Sequence, residues 1–138
     1  MNRFANWPTL LTAALEPRWR ETHEWGRNDC ALLACDAVLA ITGVDLAAEV
    51  RGRYWTEQEA RALLKELTGG GGLAEYAEKI AAVHNLESVS WQELRRGDIG
   101  FLETPDGGAL GVVWPSGRLV VPGNMLPARM AIRGWKIG

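Results

Sequence analysis

Long apolar runs are absent from these 138 residues, and no stretch approaches the roughly 18 consecutive apolar residues of a membrane span. The opening MNRFANWPTLL carries no apolar core followed by a small-residue cleavage site. No secretion signal is therefore visible, and the chain is expected to be made, and first to act, in a cytoplasm. A basic excess is missing too. Fifteen Lys and Arg against 17 Asp and Glu leave a net charge of −2, which gives no basis for a nucleic-acid face. Cysteine and histidine are scarce, at two residues each. Cys30 and Cys35 would lie about 140° apart around a helix axis, too divergent to pair, and nothing suggests an oxidising compartment. With His23 and His84 they form no Cys-x2-Cys or His-x3-His spacing, so neither a metal nor a cofactor is expected. The four glycines Gly69 to Gly72 lack the lysine and hydroxyl of a phosphate loop and follow a helical pattern, which leaves them a flexible connector.

What is present is an ordinary soluble composition, 47% apolar and 23% charged, long enough for a single domain over residues 1–138 to bury a core without staples. Tryptophan is the exception, with seven residues. Its large ring and single polar edge suit cores and interfaces alike. Trp25, Trp91, Trp114 and Trp135 are expected in the core. Trp7, Trp19 and Trp55, on amphipathic or loop segments, are the interface candidates.

Helical signals fill the first half. Trp7 to Leu15 has Pro8 near its start, where the missing N–H costs nothing. Asn28 or Asp29 can cap a helix running from Cys30 to Ile41 and stopped at Thr42-Gly43. Leu33, Ala34, Ala37, Val38 and Ile41 share one face of it with Cys30, while Leu32 and Leu39 lie opposite. Only Asp36 interrupts the apolar girdle, so this helix is expected at the centre of the domain. Thr56 and Glu59 form a capping-box pattern for a helix reaching about Leu67, and another is expected over about Leu73 to Val83. From Arg96 the period changes. Asp98 to Glu103, Ala109 to Trp114, Arg118 to Val121 and Ala128 to Lys136 read as short strands separated by Pro/Gly turns. Helices first and an antiparallel meander afterwards make an α+β fold.

Cys30 is the sharpest candidate for chemistry. In the first turn of a helix, free N–H groups and the macrodipole favour a thiolate. A cysteine so placed, beside a sheet, is a recurrent arrangement for acyl transfer. The competing reading is structural, since cysteine is among the most buried residue types and Cys30 lies on its helix's apolar face. His23 and His84 are expected to be surface or locally bonded, and Arg95-Arg96 a solvated pair.

The segment Trp25-Gly26-Arg27-Asn28-Asp29-Cys30-Ala31-Leu32 resembles the nucleophile segment of the NlpC/P60 cell-wall peptidases, which have a papain-like fold. Leu94-Arg95-Arg96-Gly97-Asp98 is similar to the "L-x-x-G-D" entry into that family's first sheet strand, and Ala109 to Trp114 to the strand that reads His-Val-Gly-Ile-Tyr. The resemblance spans about Trp25 to Val121. It implies a buried central helix packed on a C-terminal antiparallel sheet, Cys30 in the nucleophile position, and Asp29 beside it. It also exposes a departure. Ala109 stands where the family has its histidine base, and Val120, Val121 and Pro122 stand where the orienting polar residue falls. General acid–base help is worth about 10²–10⁴ in rate, so the resemblance implies a peptidase fold without efficient peptidase activity.

Short, base-less forms with a "W-G-x-N-D-C-A" segment look like small proteins encoded among bacteriophage and prophage tail genes. That likeness implies a structural or assembly component of the tail tip or baseplate hub. Its partners would be other tail proteins, and its location the virion, after assembly in the host bacterial cytoplasm. The alternative is an active cysteine peptidase or amidase cleaving peptidoglycan stem peptides. Cys30 would then be the nucleophile, with Asp29 or a backbone N–H shaping the oxyanion site. A host enzyme or immunity-type factor ranks third.

Overall fold

Asp29, Thr56 and Gly72 each begin a helix, and two of them do so with a side chain. A computed structural model describes all residues from Met1 to Gly138. Helix α1 spans Trp7–Leu15 and α2 spans Cys30–Thr42, where Asp29 Oδ1 accepts the Leu32 N–H at 2.9 Å. That satisfies one of the four donors a helix start leaves free. Helix α3, Glu57–Thr68, is capped by Thr56 Oγ1 accepting from the Glu59 N–H, while Glu59 accepts from the Trp55 N–H. Helix α4 spans Leu73–Val83. The glycine run between α3 and α4 is a bonded link: the Gly71 N–H donates to Thr68 Oγ1 and the Gly72 N–H to Glu75 Oε1.

Six strands follow: β1 Ser88–Val89, β2 Ile99–Leu102, β3 Ala109–Val113, β4 Leu119–Val121, β5 Asn124–Leu126 and β6 Ala131–Trp135. They form one antiparallel sheet in the order β1-β6-β2-β3-β4-β5. The fold is α+β, helices first. The expected strand over 128–136 begins instead with a 3₁₀ turn at Ala128–Met130. Strands β1 and β5, of two and three residues, were not expected, because a run that short shows no alternation to read.

The pairing Ile99↔Val112 and Phe101↔Leu110 puts these four side chains, with Val120 and Trp135, on one face of the sheet. Leu33, Ala37, Val38 and Ile41 of α2 and Leu11 and Leu15 of α1 cover that face as the main core. Leu32, on the other side of α2, joins a second cluster with Val50, Tyr54, Leu63 and Tyr76. Helix α2 is therefore buried on two sides and not all round: Leu39 is 37% exposed, a correction to the expected girdle. The sheet's far face, with Leu102, Val113, Leu119 and Ala131, is covered only by short turns near Leu94 and Ala128.

The tryptophans sort by this layering. Trp135 faces α2 and is buried, and Trp114 is half-buried against the main core. Trp25 and Trp91 were expected in the core and are instead 36% and 41% exposed. Trp25 rides on a tight turn before α2, and Trp91 lies on the 3₁₀ turn Trp91–Glu93, over which no further layer packs.

Asp98, the aspartate of the "L-x-x-G-D" segment, ties the two chain ends together. Its Oδ1 accepts from Arg3 Nη2 and from the Ile137 N–H, both at 3.0 Å, and its Oδ2 from the Arg95 N–H at 2.8 Å. Arg3 also donates to the carbonyls of Ile137 and Arg96. A carboxylate buried to this degree is tolerated only when so fully bonded.

Candidate functional site at the start of the second helix

The chain enters α2 through a tight turn whose residues are chosen by geometry. Glu24 and Asn28 exchange both backbone hydrogen bonds, closing a small loop. At its corner Gly26 has φ +80, and a β-carbon there would fall 2.4 Å from the Tyr54 carbonyl oxygen and 2.6 Å from the Trp55 ring. No other residue fits. The Asn28 amide donates to the carbonyls of Glu21 and Thr22, and its oxygen accepts from Arg18 Nε at 2.8 Å. Arg18 continues to Asp36 at 2.6 Å, and Asp36 to Arg51, so α2 is braced along its flank.

Asp29 is the centre of this construction. Beyond its cap to Leu32, its Oδ2 accepts from the Gly26 N–H at 3.0 Å and from the Tyr54 hydroxyl at 2.6 Å. The residue is buried and its oxygens are committed to holding the turn. That is a structural task, and it leaves Asp29 no free oxygen pair to serve a reaction. Tyr54, pushed above the usual phenol range by burial and then by this bond, went unnoticed in the sequence. It lies 25 residues from its partner, and no local pattern marks it.

Cys30 opens α2 and faces the start of β3. Although it keeps some exposed surface, the atoms packed around its thiol push it up to about 11, and the Asp29 charge pushes the same way. Backbone hydrogen bonds from Leu110, Ala31 and Cys30 itself work in the opposite sense, and burial outweighs them. The thiol is therefore neutral at neutral pH. Cys35 is pushed up to about 12 by burial as well. It and Cys30 are both free thiols.

The residue before Leu110, at the first position of β3, is Ala109. The strand paired with β3 carries Val120 and Val121. Neither strand carries a side chain that can accept a proton. The two histidines are elsewhere. His23 packs edge-on against Trp25, with ring centroids 4.6 Å apart, and His84 caps the C-terminus of α4.

A cleft of about 370 Å³ lies beside Cys30, floored by Tyr54 and Tyr76 and flanked by α3, the glycine link and the β2–β3 turn. Neither histidine lines it. Trp25 stands at its edge. Of the three interface candidates, Trp55 is 61% exposed. Trp7 is half-buried, with the Arg3 guanidinium 4.2 Å from its ring centre, and Trp19 is half-buried beneath Arg20. The structure brings Cys30, Asp29, Tyr54 and Trp25 together, and leaves Trp7 and Trp19 on the far side of α2 with α1 and its following turn.

A family model described as "Domain of unknown function (DUF6950)" matches residues 2–137. Comparison with curated proteins and with solved structures found no match.

Proposed function

The chain belongs to the DUF6950 family over nearly its whole length, and on the geometry above we propose that it is a papain-like, NlpC/P60-type domain that has given up hydrolysis for a structural role. The observation that carries this reading is the strand that α2 packs against. Cys30 opens the central helix, the arrangement that the resemblance implies, but β3, from Ala109 to Val113, carries only alanine, leucine, glycine and valine, and no side chain on it can take a proton. A nucleophilic cysteine needs a base within about 3 Å or a depressed pKa. Cys30 has neither.

The role we propose is a component of a bacteriophage tail, at the tip or baseplate hub, acting in the virion or in its assembly within the host cytoplasm. The likeness of the Trp25 to Ala31 segment to tail-gene products supports it, as do the exposed rings of Trp25, Trp55 and Trp91, since aromatic side chains anchor protein interfaces. The test is co-expression of the chain with the tail proteins encoded beside its gene, followed by purification through a tag on the chain. Stable co-purification of a hub or tail-tip protein is expected. Failure to bind any of them removes the tail assignment.

One observation favours the enzymatic alternative: Cys30, in the first turn of α2, lines a cleft of about 370 Å³. Incubation with purified peptidoglycan decides between the readings. No release of stem-peptide fragments is expected. Fragments that disappear in Cys30→Ser would establish a cysteine peptidase or amidase.

A further inference from the structure

The cleft beside Cys30 has two walls from distant parts of the fold. One is α3 with the Gly70–Gly72 link, and the other is the β2–β3 turn at Asp106–Gly108. Arg61 leaves the first wall and reaches the second. Its Nη2 donates to the backbone carbonyl of Asp106 at 2.8 Å, a contact spanning 45 residues. The same guanidinium is steadied one helical turn back, with Nη2 and Nε meeting Glu57 Oε1 at 2.8 and 3.2 Å.

No other polar contact fastens the walls to each other. No second hydrogen bond or ion pair joins α3 or its glycine link to the turn. A β-carbon added at Gly70 or Gly107 would meet no atom within 4 Å, so the walls stand apart at those positions. The turn holds its own shape through Thr104, which accepts from the Gly107 and Gly108 N–H groups. Each wall thus holds its own shape, and the polar contact across the gap is a single side chain.

We propose that Arg61 is a strap across the mouth of the cleft, held in place by Glu57, and that its release widens the passage to the Cys30 sulfur. The contact is solvent-exposed, and exposed charged contacts contribute little, so the strap opens readily. An arginine suits the task, since its planar fork can hold a carboxylate and a carbonyl at once where a lysine holds a single point. The inference concerns access alone and stands whether or not the thiol performs chemistry.

Alkylation of Cys30 by a bulky maleimide at pH 9, followed by peptide mass spectrometry on the full chain, tests it. Arg61→Ala is expected to react about two- to fivefold faster than the parent, the range that an exposed contact of this kind can supply. Asp106→Ala keeps the accepting carbonyl and is expected to react at the parent rate. Loss of a nearby cation would by itself slow thiolate formation, so the sign separates a strap from a charge effect. Equal rates for the parent and Arg61→Ala overturn the proposal, as does an equal acceleration in Asp106→Ala. If the thiol reacts too slowly in all three to compare, hydrogen exchange over residues 104–108 decides. Faster exchange in Arg61→Ala supports the strap, and unchanged exchange removes it.

Discussion

Asp29 spends two oxygens on three donors, and each donor belongs to a different piece of the fold. Asp29→Ala removes the α2 cap and leaves the Gly26 N–H and the Tyr54 hydroxyl without partners. A lost cap costs about 1 kcal/mol and an orphaned buried donor about 1–3 kcal/mol, so we expect a loss of about 3 kcal/mol in denaturant unfolding. A loss under about 1 kcal/mol would mean that water replaces the carboxylate. Next to it, the Cys30 thiol is held neutral mainly by burial. Its alkylation rate should therefore climb with pH toward a midpoint of about 11. A midpoint near the ordinary cysteine value of 9.0 would show that burial does not hold the thiol neutral.

At the scale of elements, caps and stops were legible and burial was only partly so. The start of α2 at Cys30 and the span of α4 follow from signals within four residues, Asp29 before the first turn and Gly43 or the glycine run at the ends. The assignment of tryptophans to core or surface did not follow. Trp135 lies on β6 and faces α2, whereas Trp91, between Ser90 and Gln92, lies on a 3₁₀ turn and is 41% exposed. Unfolding measurements should separate them. Trp135→Ala is expected to cost about 3–5 kcal/mol, the range for a buried ring, and Trp91→Ala less than about 1 kcal/mol. Comparable losses would place Trp91 in the core after all.

For the whole molecule, the buried acids that resist ionisation make stability fall on the alkaline side. Cys30 and Cys35 ordinarily titrate near 9.0, and burial raises them to about 11 and about 12. Tyr76, ordinarily near 10.0, rises to about 12 for the same reason. Each stays protonated in the folded state after the unfolded chain has released its proton. Proton release then favours unfolding, so this stability is present below about 9 and is lost as pH rises through about 12. Thermal melting should hold steady, as far as these groups contribute, up to about pH 9 and then decline. A melting temperature unchanged to pH 11 would show that the thiols are free to ionise in place.

The sequence by itself determined the order of helices and strands and the helix start that carries Cys30. These rest on caps, periods and residue identity, all of which act over a few neighbours. The tertiary structure decided the rest: that Asp29 is occupied by Gly26 and Tyr54, that Arg3 and Ile137 close on Asp98, and that Arg61 spans a cleft to Asp106. Each of those contacts, the Asp29–Gly26 bond apart, joins residues 25 or more positions apart. Their partners are set by how layers stack and which surfaces meet, and no local pattern encodes that.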